Sequence, residues 1–68
     1  MEYSFGRTLK EFRAVKKVSQ AELGEVLQVA NNTISSWERD NSEPNIAQLR
    51  TLVEYLGCTA GQLLGTED

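Results

Sequence analysis

The stretch Asn31-Asn32-Thr33-Ile34-Ser35-Ser36 places five small polar side chains around a single aliphatic one. Amides and hydroxyls of this kind donate and accept hydrogen bonds. The chain lacks the partners that would make such hydroxyls nucleophiles. It has no histidine, which excludes Ser-His-Asp and Cys-His machinery and any His-ligated metal. Cys58 is the only cysteine, so neither an internal disulfide nor a thiolate zinc site can form. The acidic pairs Glu22/Glu25 and Asp40/Glu43 read more simply as solvated surface than as metal ligands. The available chemistry is recognition by hydrogen bonding, and neither an enzyme, a cofactor nor a metal is expected.

Charge is distributed unevenly. The total is −3, against a generic nucleic-acid binder held by bulk positive charge. Residues 1–20 nevertheless carry five basic and two acidic side chains, and residues 21–68 carry two basic and eight acidic. One basic end and one acidic body are expected. No apolar run approaches the roughly 20 residues that span a bilayer, and Met1-Glu2-Tyr3-Ser4 has neither the basic nor the apolar region of a secretory signal. A cytoplasmic protein with no membrane association is expected, in keeping with one reduced thiol.

The elements that position the polar stretch are helical. Sixty-eight residues, 40% of them hydrophobic, are enough for one small core built from local contacts. Phe5, Leu9 and Phe12 form one stripe of a helix from about 5 to 17, with Ser4 as its N-cap. Ser19-Gln20-Ala21-Glu22, Asn45-Ile46-Ala47-Gln48 and Thr59-Ala60-Gly61-Gln62 share a capping layout. They predict helices near 20–27, 46–56 and 60–64, two of them stopped by Gly57 and Gly65. Ile34 and Trp37 lie on one side of a further helix over 31–39, and Asn31, Asn32, Ser35 and Ser36 share the opposite face. Taken by itself, that face reads equally well as a solvated helix surface. Trp37 is assigned to the core for the same reason, and Cys58 to packing as a small apolar residue.

Residues 20–39 thus hold two short helices separated by Gln28-Val29-Ala30. Gly24, inside the first, costs about 1 kcal/mol relative to alanine, which predicts close approach by another helix. This is the layout of a helix-turn-helix. The chain resembles the phage repressor/Cro-like (XRE-type) helix-turn-helix DNA-binding family from about Gly6 to Gly65. The resemblance rests on Ser19-Gln20, Leu23-Gly24, Ile34, Trp37-Glu38-Arg39, Pro44, Leu49-Arg50-Thr51-Leu52 and Leu63-Leu64. It implies an all-α, compact five-helix lambda-repressor-like fold, with the whole of 1–68 as one domain and its second and third helices as the motif.

The resemblance also assigns roles. Asn31, Asn32, Thr33, Ser35 and Ser36 would contact DNA bases, with the two asparagines leading, since Asn bonds bidentately to adenine. Ser19, Gln20, Arg39, Asn41 and Ser42 would hold phosphates, the first two at a helix N-terminus. Arg13 and Glu38 would form a structural ion pair, and Arg7, Lys10, Lys16 and Lys17 would add long-range attraction. Three departures from the family pattern carry expectations. Gln28 replaces the usual turn glycine and must adopt a left-handed conformation. Ala30 is a poor N-cap, so Asn31 is expected to cap instead. Asp40-Asn41-Ser42-Glu43 replaces a commonly basic loop, and its two carboxylates should repel phosphates.

The implied function is a sequence-specific regulator of transcription, a repressor of phage or mobile-element type, binding a two-fold operator in double-stranded DNA as a homodimer. No small-molecule ligand is expected. The competing reading is a protein-interaction module that kept the fold without strong DNA binding, favoured by the acidic balance.

Overall fold

A computed structural model describes residues 2–66. Five helices follow one another: α1 (Phe5–Lys16), α2 (Gln20–Leu27), α3 (Asn31–Glu38), α4 (Ile46–Leu56) and α5 (Ala60–Leu64), with no strand among the described residues. Their apolar stripes meet in one core of Leu9, Val18, Leu23, Ile34, Trp37, Leu52, Leu56 and Leu63. Leu9, Leu23, Ile34, Leu52, Leu56 and Leu63 are fully buried, and burial of each stabilises the fold by roughly 1.5–3 kcal/mol before chain entropy is counted. Phe5, Phe12, Leu27, Val29, Leu49, Val53 and Cys58 pack around this centre. α3 lies against α1 and α2, while α4 and α5 close the other side.

Local signals set the helix limits. Ser4 accepts from the Arg7 amide at 3.1 Å, and Ser19 from the Glu22 amide at 3.0 Å. Asn45/Gln48 and Thr59/Gln62 both form complete capping boxes. The box expected at Ser19 is only half made. The Glu22 carboxylate turns away from its own helix end and accepts from the Tyr55 hydroxyl on α4. Gly57 and Gly65 end α4 and α5 with φ of 68° and 75°. The first helix stops at Lys16, one residue short of expectation, because Lys17 turns left-handed at φ 59°.

At the turn of the motif Gln28 is left-handed, φ 59°, as its place in the pattern requires. Asn31 does not cap α3. Ala30 occupies the N-cap position with extended backbone and no side-chain bond, and Asn31 is already the first helical residue. Asn31 is exposed and makes no capping bond. The close approach at Gly24 is made by the turn leading into α3: a β-carbon there would lie 2.9 Å from the Val29 carbonyl oxygen and 3.7 Å from the Asn31 amide nitrogen, the first of α3. Gly24 lets the turn between α2 and α3 fold back on α2, closed by the Val29 amide donating to the Gly24 carbonyl at 2.9 Å.

Candidate nucleic-acid interface

α3 is oriented by what it buries. Ile34, Trp37 and Glu38 face inward, which leaves Asn31 and Asn32 on the outer side of its first turn. Both asparagines are exposed, and neither side chain has a hydrogen-bond partner within the described residues. Thr33 is half-buried beside them. The next turn differs. Ser35 accepts from Arg39 Nη1 at 2.6 Å, and Ser36 shares a 2.7 Å hydroxyl–hydroxyl bond with Ser42. Of the five side chains singled out, two amides and one hydroxyl are therefore unpaired, and two hydroxyls are held by neighbours.

The far end of α3 is clamped to α1 and α2. Arg13 Nε donates to Glu38 Oε2 at 2.6 Å and Nη2 to Oε1 at 3.1 Å, with side-chain exposures of 18% and 3%. Arg13 Nη1 also donates to the Val18 carbonyl at 2.9 Å. Gln20 Nε2 donates to Glu38 Oε1 at 2.9 Å. Burial alone would raise the Glu38 pKa. The bonds from Arg13 and Gln20, with the charges of Arg13 and Lys10, outweigh it and hold the carboxyl below its ordinary range. The Arg13 guanidinium is shifted upward, mainly by its bond to Glu38.

This places the expected phosphate ligands unequally. The Gln20 side chain is half-buried and directed at Glu38, not outward. Ser19 is exposed, with its hydroxyl oxygen taken by the Glu22 amide. Arg39, Asn41 and Ser42 are exposed on the segment that leaves α3. The Asn41 amide donates to the Ser36 carbonyl at 3.0 Å, which keeps this segment against the helix end.

Two residues shape this surface in ways the sequence did not indicate. Gly6 is buried where α1 crosses the end of α3, and a β-carbon there would lie 2.4 Å from the Glu38 carbonyl oxygen. Only a residue without a side chain permits that approach. Asp40 adopts φ 59° and reaches the start of α1, where Oδ2 accepts from the Ser4 hydroxyl at 2.6 Å and Oδ1 from the Gly6 amide at 2.9 Å. These two bonds, Ser4 first, hold its carboxyl below the ordinary aspartate range. The sequence signal for Asp40 is faint: Asp is among the few residues that tolerate a left-handed backbone.

No group of His, Cys, Asp or Glu able to hold a metal ion occurs among the described residues. No helix of the described chain is long and apolar enough to cross a membrane. Cys58 is half-buried, and burial pushes its thiol pKa up.

Comparison with known proteins agrees with this geometry. The helix-turn-helix family profile matches residues 9–63. The C2 repressor protein of Salmonella phage P22 is 39% identical over 59 residues, covering 87% of this chain and 27% of that protein. The HTH-type transcriptional activator BcrR of Enterococcus faecalis is 31% identical over 64 residues, covering 94% of this chain and 31% of that protein. The chain thus spans about a third or less of these two relatives. The crystal structure of the P22 c2 repressor in complex with a synthetic operator superposes with a TM-score of 0.88 at 35% identity. That match covers 97% of this chain and all of the other. With the profile spanning most of its length, the chain belongs to the helix-turn-helix family, of the phage repressor type.

Proposed function

We propose that the chain is a sequence-specific, double-stranded DNA-binding unit of a transcriptional regulator. It acts in the cytoplasm as a homodimer on a two-fold operator and represses by occupying it. The observation that carries this reading is the pair of exposed, unpartnered amides of Asn31 and Asn32 on the outer face of the first turn of α3. Each can offer one donor and one acceptor to an adenine edge. Thr33 adds a hydroxyl and a methyl beside them. Ser35 accepts from Arg39 but keeps its own O–H to donate, and the Ser36–Ser42 pair uses only one of its two O–H groups, so both serines retain hydrogen-bonding capacity for base edges. Arg39, Asn41, Ser42 and the α2 N-terminus at Ser19 and Gln20 take phosphates, fixing register without reading sequence. The likeness to an operator-bound phage repressor supports the reading.

The test is a fluorescence titration of the protein against DNA from upstream of its own gene, at two salt concentrations. Binding should weaken steeply as salt rises, with a slope that counts the phosphates contacted. Absence of binding at low salt would favour a protein-interaction module, the reading that the net charge of −3 supports.

A further inference from the structure

The loop after α3 presents a contradiction. Asn41 and Ser42 are proposed phosphate ligands, yet Asp40 and Glu43 flank them with negative charge. Charge counting alone makes Asp40 a liability for a DNA-binding surface. Its contacts say otherwise. Both carboxylate oxygens are turned away from the loop and onto the first turn of α1, 34 to 36 residues earlier in the chain. There they meet the positive end of the helix dipole and two of its donors, where a negative charge is most favourably placed. The Ser4 hydroxyl links the two, accepting from the Arg7 amide and donating to Asp40. On its other side the loop is tied to α3 by the Asn41 amide and by the Ser36–Ser42 hydroxyl pair. The loop is thus held at both flanks, and among the described residues Asp40 supplies its only side-chain hydrogen bonds to the start of α1.

We propose that Asp40 is a positioning residue for DNA binding, whose carboxylate clamps the α3–α4 loop to α1 so that Asn41 and Ser42 face the phosphate backbone. The proposal rests on the DNA-binding reading above. It inverts the charge argument: loss of this negative side chain weakens binding to a polyanion.

The test compares the affinity of the full chain for its selected DNA site in wild type, Asp40→Gly and Asp40→Asn. Glycine retains the left-handed backbone and removes the clamp, so the variant folds. Asparagine also tolerates that backbone, and its carbonyl oxygen can still accept from Gly6, but it carries no charge. Affinity of the glycine variant should fall by roughly tenfold. The asparagine variant should recover most of that loss. The glycine loss should be similar on cognate and random DNA, because phosphate contacts carry no sequence information. Amide hydrogen exchange at Gly6 should quicken in the glycine variant. Binding by the glycine variant equal to or tighter than wild type overturns the proposal and leaves the DNA-binding reading standing. A wild type that binds no DNA overturns both.

Discussion

Arg13 and Glu38 meet as a two-pronged pair, Nε to Oε2 at 2.6 Å and Nη2 to Oε1 at 3.1 Å, joining the last turn of α1 to the last residue of α3. Glu38 is nearly sealed from solvent, at 3% side-chain exposure. Glu38→Ala leaves the Arg13 guanidinium, at 18% exposure, without its main partner but still bonded to the Val18 carbonyl, and should cost about 1–3 kcal/mol. A chain of this size has only several kcal/mol to lose, and urea denaturation should show the variant unfolding at a clearly lower midpoint than wild type. A midpoint unchanged from wild type would show that the pair carries no stability.

The same pair gives a pH dependence with a definite sign. The folded-state pKa of Glu38 is depressed below the ordinary glutamate value of 4.5. The unfolded chain therefore binds this proton more readily, and acid favours unfolding. The contribution is fully present above about pH 4.5 and is lost as pH falls through the lowered folded value. Thermal melts from pH 7 to pH 3 should show Tm falling over the acid part of that range. Glu38→Gln, which cannot titrate there, should lower Tm at neutral pH and flatten the acid decline.

Most of the fold was legible in the chain because its helix limits are written locally. Ser4, Ser19, Asn45 and Thr59 each sit one residue before a helix and accept from its third amide. The apolar residues Leu9, Leu23, Leu52 and Leu56 then meet in one shared core. What escaped depends on residues distant in sequence. Nothing near Glu22 predicts that its carboxylate serves Tyr55, and nothing near Asp40 predicts Ser4. The polar face of α3 was legible as a face. The capture of Ser35 by Arg39 and of Ser36 by Ser42 was not, since it requires the loop to fold back.

Gly6 should be less replaceable than Gly24. A β-carbon at Gly6 meets backbone at 2.4 Å, and neither α1 nor α3 can yield without disturbing the core. Gly6→Ala should cost about 1–3 kcal/mol, the range for overpacking. At Gly24 the contact is 2.9 Å to a turn carbonyl, and helix propensity returns up to about 1 kcal/mol. Gly24→Ala should therefore be the milder change in urea midpoint. The reverse order would mean that the contact between α1 and α3 is softer than its geometry implies.

The start of α3 leaves room for improvement. Ala30 occupies the N-cap position without a side-chain acceptor. The Thr33 amide already donates to the Ala30 carbonyl at 2.9 Å, so Ala30→Ser should stabilise the domain by about 0.5–1 kcal/mol, through the Asn32 amide or by sharing that of Thr33. Calorimetry would register this as a higher Tm. No gain would indicate that these amides are already satisfied by solvent.

The most direct test of the account measures what the outer face of α3 reads. Binding of wild type and Asn32→Ala should be compared on the site selected from a random oligonucleotide pool and on unrelated DNA. The account predicts a loss of about 1–3 kcal/mol on the selected site, with preference relaxed at one base pair and affinity for unrelated DNA retained. An equal loss on both DNAs, or none on either, would contradict it.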